Sequence, residues 1–137
     1  MSNKNIKIYY HCKLQDQCPD KKRINKKIVC FISEKFRNYP DIFNVELGIH
    51  FVCTKEMKIL NQKHRNINKP TDVLSFPIYE KITFQQIKNI EKINLGDIFI
   101  CTDIIQQQAI ISKKNYILEI ENIILHGLKH LFGIHHK

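Results

Sequence analysis

The sequence predicts an α/β protein of the α+β kind, with a short mixed sheet of four strands packed against about five helices. Short apolar or alternating segments follow one another with longer segments whose apolar residues recur every three or four positions. The chain has 137 residues, of which 43% are hydrophobic and 26% are charged. This composition supplies one hydrophobic core, so we expect a single domain over residues 1–137.

The order of these segments defines the predicted elements. Residues 6–10 alternate as in a half-buried strand, and residues 95–101 are almost continuously apolar, which is typical of a strand covered on both faces. Asn115 is the predicted N-cap of the last helix, and Gly133 is predicted to end it. The predicted strands are 6–10, 43–53, 73–76 and 95–101, and the predicted helices are 21–39, 55–64, 104–111 and 116–132, with a weakly helical segment at 83–91.

Composition also narrows the function classes. The net charge is +9 and the isoelectric point is near 9.4, which favours a polyanionic partner such as nucleic acid, although a general drift towards lysine codons would give the same excess. No apolar run approaches the length of a membrane span, and no signal peptide precedes the first strand. We therefore expect a cytoplasmic protein.

The five cysteines are odd in number and form no CxxC pair. This pattern predicts reduced thiols in a cytosolic protein rather than a disulfide framework. His11, Cys12 and Cys18 are an alternative metal-binding group, but their spacing matches no standard ligand pair.

The last predicted helix carries the strongest chemical signal. It is apolar around most of its circumference, and four of its polar residues form one narrow stripe: Glu119, Asn122, His126 and His130. Two imidazoles four residues apart lie on the same helix face, where both can bind one ion. The turn at Gly133 brings His135 or His136 back towards them.

The string from His126 to His136 has the form H-x3-H-x2-G-x2-H, so His126, His130 and His136 are the predicted metal ligands. Zinc is the default ion for three imidazoles, although nickel or copper also fits. Three protein ligands leave a coordination position open to activate water. Zinc peptidases with this spacing have a Glu as general base directly after the first His, and here that residue is Gly127. The competing interpretation is a set of exposed or hydrogen-bonded histidines that bind no metal.

A second segment, residues 64–77, places Arg65 at a helix end before a loop and a short strand. A guanidinium beside a metal cleft suits a phosphodiester, because it grips two phosphate oxygens and offsets transition-state charge. A plain surface arginine is the alternative. Asp72 is predicted to brace the loop rather than to act in catalysis.

Three blocks of the sequence, KPTDVLSFP at 69–77, LGDIFIC at 95–101 and HGLKHLFGIHH at 126–136, together resemble the YbeY family of bacterial endoribonucleases and rRNA maturation factors. The resemblance implies a mixed α/β fold with a metal cleft, one Zn²⁺ bound by His126, His130 and His136, and a functional arginine at Arg65. It implies metal-dependent cleavage of single-stranded RNA in 16S rRNA 3′-end maturation and ribosome quality control. The implied partners are the small-subunit rRNA precursor and the ribosome, with a small-subunit ribosomal protein as a further candidate.

The sequence departs from the family pattern at two places. The family motif normally ends Gly-Tyr-Asp-His, but here His135 stands in place of the acid, where it competes with His136 as third ligand. His136 is also next to the last residue given, so we expect it on a segment that frays. These departures keep a second hypothesis open: a non-catalytic, zinc-stabilised ribosome-assembly factor that binds rRNA.

Overall fold

The computed structural model describes residues 4–12, 19–80, 82 and 90–133. Its elements are β1 (Asn5–Cys12), α1 (Lys21–Lys35), β2 (Asn44–Val52), α2 (Thr54–Arg65), β3 (Val73–Pro77), β4 (Lys92–Cys101), α3 (Thr102–Ser112) and α4 (Tyr116–Leu131). The predicted fold class is confirmed. The described ranges contain four helices; most of the fifth predicted segment, 83–91, lies outside them.

The four strands form one mixed sheet in the order β1-β2-β4-β3. β1 is parallel to β2, and β2 is parallel to β4, whereas β3 runs antiparallel to β4 along one edge. Gly96 makes the β3–β4 contact possible, since it has a φ of 117° and a Cβ there would lie 2.1 Å from the carbonyl oxygen of Phe76. This requirement accounts for the glycine in the LGD sequence.

The two faces of the sheet have separate cores. On one face, α1 and α4 pack their apolar residues against alternate strand residues such as Ile49 and Ile98. On the other face, α2 places Met57 against a smaller cluster that includes Val52 and Leu74. The sheet is therefore covered on both sides near β4, as the continuous apolar run of that strand predicted.

Polar contacts fix the helices in this arrangement. The Asn115 side chain accepts a hydrogen bond of 3.1 Å from the backbone N–H of Leu118, as predicted for the N-cap of α4. Glu121 is only 2% exposed and pairs with Arg23 and Lys27 of α1, each at 2.9 Å. This carboxylate clamps the N-terminal half of α4 to α1.

Two predicted boundaries and one cysteine assignment are wrong. α1 ends at Lys35 rather than at residue 39, because the chain turns at Phe36, and β4 begins at Lys92 rather than at residue 95.

Cys12 is disulfide-bonded, contrary to the prediction of reduced thiols, whereas Cys30, Cys53 and Cys101 are free. Burial raises the pKa of the Cys101 thiol, which keeps it protonated and inert. No helix in the described ranges is both long and apolar enough to cross a membrane.

Candidate active-site cleft

A cleft of about 340 Å³ opens where α4, β3 and the C-terminal end of α2 meet. It brings together two predicted metal ligands and the predicted phosphate-binding residue. The lining residues are Arg65, Val73, Leu74, Ser75, Pro77, His126 and His130. Because α4 packs against β3, two residues of its polar stripe, His126 and His130, line this opening.

His126 and His130 lie one turn apart on α4, with their Nε2 atoms 3.1 Å apart and their ring planes inclined by 74°. Two nitrogen ligands at about 2.0–2.1 Å from one tetrahedral ion lie roughly 3.3 Å from each other. The observed separation is close to that value. At this distance the two rings form a hydrogen bond with each other, and the same separation also fits a shared cation, for which imidazole donors suit zinc.

Arg65 reaches the cleft because α2 ends there. Asn66, with a φ of 60°, terminates the helix in the left-handed conformation. The neighbouring His64 ring packs edge-on against Phe76 of β3, with centroids 4.7 Å apart. Buried Asn61 donates a hydrogen bond of 2.7 Å to the carbonyl oxygen of Lys69, which holds the following loop against α2. The guanidinium is exposed, yet the backbone that carries it is fixed.

Gly127 determines how closely α4 approaches the sheet. A Cβ at this position would lie 3.0 Å from Cγ2 of Ile98 and 3.1 Å from Oγ of Ser75. The hydroxyl of Ser75 also donates a hydrogen bond of 3.4 Å to the carbonyl oxygen of Gly127. The position that carries the general base in zinc peptidases is thus packed tightly against β3 and β4, so that even a methyl group there would require its neighbours to shift by a few tenths of an ångström.

The other predicted site residues have different outcomes. His136, the predicted third ligand, and His135 lie outside the described residues, so their prediction stays a prediction. Within the described ranges, no group of three His, Cys, Asp or Glu side chains is placed to hold a metal ion. Asp72 accepts hydrogen bonds from its neighbour Thr71 and, through its backbone, from Cys101 of β4, which is a bracing arrangement.

Sequence reasoning missed the contribution of β3 to the cleft wall. Hydrogen bonds from Cys101 to Asp72 and from Ile78 to Leu95, together with the β3–β4 register, show that even-numbered residues of this strand pair with β4. The backbone groups of Val73 and Ser75 therefore point to the free edge of the sheet. The VLSFP block signalled a strand, and its Pro77 is the signal that could have identified an edge strand, because proline cannot donate to a sheet ladder.

Comparisons with known proteins agree with this architecture. A sequence model of the family described as endoribonuclease YbeY matches residues 10–137. The endoribonuclease YbeY of Leuconostoc mesenteroides is 35% identical over 108 residues, which cover 74% of this chain and 66% of that protein. The endoribonuclease YbeY of Caldicellulosiruptor bescii is 35% identical over 125 residues, which cover 85% of this chain and 79% of that protein.

A solved structure has a similar fold. The solution structure of TM1509 from Thermotoga maritima superposes with a TM-score of 0.57 at 26% identity, covering 96% of this chain and 75% of that one. The family match extends over most of the chain, including the β3 edge and the two histidines of α4. The chain therefore belongs to the endoribonuclease YbeY family.

Proposed function

We propose that the protein is a metal-dependent, single-strand-specific endoribonuclease that acts on the small-subunit rRNA precursor in the cytoplasm. Its role would be 3′-end maturation of 16S rRNA and ribosome quality control, with the ribosome and a small-subunit ribosomal protein as partners. The observation that carries the proposal is the shared cleft, which Arg65, His126 and His130 line together. The names of the two curated relatives support the endoribonuclease assignment.

The three side chains have separate tasks in this proposal. His126 and His130 would hold one Zn²⁺, with His136 as the third ligand. A bound zinc ion supplies a Lewis acid that polarises a phosphoryl oxygen and lowers the pKa of water. Arg65 would bind the scissile phosphate through two parallel N–H donors and offset the charge that develops on its oxygens.

In β3, the hydroxyl and the backbone N–H of Ser75 would orient the RNA. Ser75 lies at the free sheet edge on the cleft wall, within 3.4 Å of the Gly127 carbonyl oxygen. Its backbone N–H faces away from β4 and has no hydrogen-bond acceptor among the described residues, so it would donate to a ribose or phosphate oxygen. Because β3 is fixed in the sheet, it would set the register of the bound RNA relative to Arg65.

A peptidase function is disfavoured by Gly127. This residue has no side chain to take a proton, and it packs tightly against Ile98 and Ser75. Phosphodiester cleavage in this cleft draws instead on the cation of Arg65. The geometry of the described residues thus favours a substrate that carries negative charge.

The test compares metal content and RNA cleavage in one protein preparation. We expect Arg65→Ala to retain the metal and to lose about 10²–10³-fold in kcat, the typical loss for one donor to a developing oxyanion. His126→Ala should lose both metal and cleavage. Arg37→Ala is the control, since Arg37 is exposed and pairs with Glu34.

Three outcomes would contradict the proposal. Full activity in Arg65→Ala would remove this residue from the mechanism, and full activity in His126→Ala would remove the metal site. If chelation lowers the melting temperature of the parent while no RNA product is formed under any metal, the non-catalytic assembly factor is the better description.

A further inference from the structure

We infer that helix α2 carries a second RNA contact surface, a cationic track that leads the single strand away from the cleft. The track consists of Lys55, Lys58, Gln62 and Arg65. This inference rests on the proposed function, because it describes how the same substrate continues beyond the cleavage site. It adds a binding surface and the class of ligand group, successive backbone phosphates.

The spacing of the four residues places them on one flank of α2. They follow one another at steps of three, four and three, so neighbours lie roughly 5–6 Å apart at their Cβ atoms. Ten residues of helix span about 15 Å, which is long enough for a few consecutive phosphates. Arg65 lines the cleft, and the other three residues line a second open groove of about 480 Å³. The flank of α2 therefore leads from this groove to the proposed catalytic site.

The charge of this segment calls for an anionic partner. Residues 54–70 contain five of the 22 Lys and Arg residues but only one of the 13 Asp and Glu residues. Among the described residues, Lys55, Lys58 and Lys63 form no ion pair, whereas Arg23 and Lys27 of α1 share Glu121. Unpaired like charges on one surface repel each other unless a ligand neutralises them.

Helix stability does not explain the position of Lys55. It lies in the first turn of α2, where a cation is unfavourable because the N-terminal end of a helix is the positive end of its dipole. Lys63 and Arg65, in the last turn, are favourable there. A lysine kept at an unfavourable helix position is expected where a ligand compensates.

The groove also contains an apolar surface that suits a nucleotide. Ile59 is 58% exposed between Lys55, Lys58 and Lys63. A base or ribose bound there would cover an otherwise solvated side chain while its phosphates contact the lysines. Asn68 lies at the groove rim, and the Asn61–Lys69 hydrogen bond keeps that loop in place.

The experiment removes two charges from the track and two from a remote helix. Lys55→Gln/Lys58→Gln is compared with Lys22→Gln/Lys26→Gln on α1, which lies on the opposite face of the sheet. Binding of 2′-O-methyl single-stranded RNA, which resists cleavage, is measured by fluorescence anisotropy against salt concentration. Two lengths are used, one of about three nucleotides that fills the cleft and one of about ten that reaches along α2.

We expect only the α2 variant to lose affinity for the longer RNA. Each lost phosphate contact lowers the salt slope by about 0.7, so two contacts lower it by about 1.4 and weaken binding by about 25-fold at 0.1 M salt. The three-nucleotide RNA should bind the parent and both variants equally. Circular dichroism should show no loss of melting temperature in either variant, since all four lysines are exposed and Lys55 is itself unfavourable in the first turn of α2.

The possible results separate this inference from the proposed function. If the parent binds and cleaves RNA but the α2 variant binds the longer strand as tightly as the parent does, the track is refuted and the enzyme stands. Equal losses in the α1 and α2 variants would also refute it, because they indicate general charge attraction. If a polyglutamate peptide displaces the longer RNA at comparable concentration, the surface serves an acidic protein instead. A parent that neither binds nor cleaves RNA would remove both proposals.

Discussion

The close approach of α4 to the sheet at Gly127 gives a quantitative prediction for Gly127→Ala. The added methyl group would lie 3.0 Å from Ile98 and 3.1 Å from Ser75, inside the ordinary contact distance of about 3.5–4.0 Å. Overpacking of this kind costs about 1–3 kcal/mol. Alanine recovers about 0.8–1.0 kcal/mol through its higher helix propensity. We therefore expect the free energy of unfolding to fall by about 1 kcal/mol.

Gly127→Glu tests the same contact more severely, and it completes the zinc-peptidase motif. The longer side chain has no space between α4 and β3, and its carboxylate would be buried without a partner. We expect a loss of more than about 3 kcal/mol and no peptidase activity. Asn122→Glu, which adds a carboxylate at an exposed position of the same helix, is the control and should change stability by less than about 0.5 kcal/mol.

Urea denaturation followed by circular dichroism measures these differences, with RNA cleavage measured on the same samples. Gly127→Ala should also lose activity, since a displaced α4 moves His126 and His130 relative to Arg65. A Gly127→Ala protein that is more stable than the parent by about 1 kcal/mol would show helix propensity acting alone. That result would refute the conclusion that the sheet leaves no room at this position.

Three further predictions concern stability and the metal. Burial raises the pKa of Tyr10 to about 12, above the unfolded value of about 10. The stability that its protonated form contributes is therefore present below about pH 10 and is lost as the pH rises towards 12. Tyr10→Phe should flatten the fall in melting temperature over that range, and an unchanged profile would contradict this contribution. Glu121→Gln should lower the free energy of unfolding, measured in urea, by about 1–3 kcal/mol, because it removes two ion pairs of a 2% exposed carboxylate whose cations remain partly solvated. The control Glu119→Gln, at a more accessible position, should lower it less. Equal losses would contradict the clamp between α4 and α1. Removing metal with a chelator should lower the melting temperature, and added Zn²⁺ should restore it. The stabilisation should be about 2.7 kcal/mol at a free zinc concentration 100 times the Kd. His126→Ala should respond to neither treatment, and a retained response would place the metal elsewhere.

The sequence was sufficient where a single element carries its own signal. The spacing of His126 and His130 on an apolar helix predicts that both face one side, and the structure places both on one cleft. Asn115 predicted the start of α4, and Gly133, with a φ of 80°, ends it as predicted. These features depend only on helix period and cap chemistry, which act over a few residues.

The sequence was insufficient where partners lie far apart along the chain. Glu121 gives no sign in the sequence that it is buried, because its two cations precede it by more than 90 residues and meet it only through helix packing. Thr54 and Thr102 are typical N-cap residue types, yet both are the first residues of their helices, after Cys53 and Cys101. The turn from strand to helix is sharper than cap preferences alone indicate.

The position of β3 at the sheet edge was likewise not predicted, and it determines which groups line the cleft. An edge strand exposes backbone donors on one side, and α4 can approach it closely only because residue 127 lacks a side chain. The close approach removes the place of a peptidase base and leaves Arg65, from the other face of the sheet, as the charged group nearest to the histidines among the cleft-lining residues. The histidine spacing that this chain shares with zinc peptidases therefore occurs beside the cation of Arg65 instead of beside a glutamate carboxylate. Since an anionic substrate is stabilised by a cation and repelled by a carboxylate, this one substitution of glycine for an acid favours phosphodiester chemistry in the same helical motif.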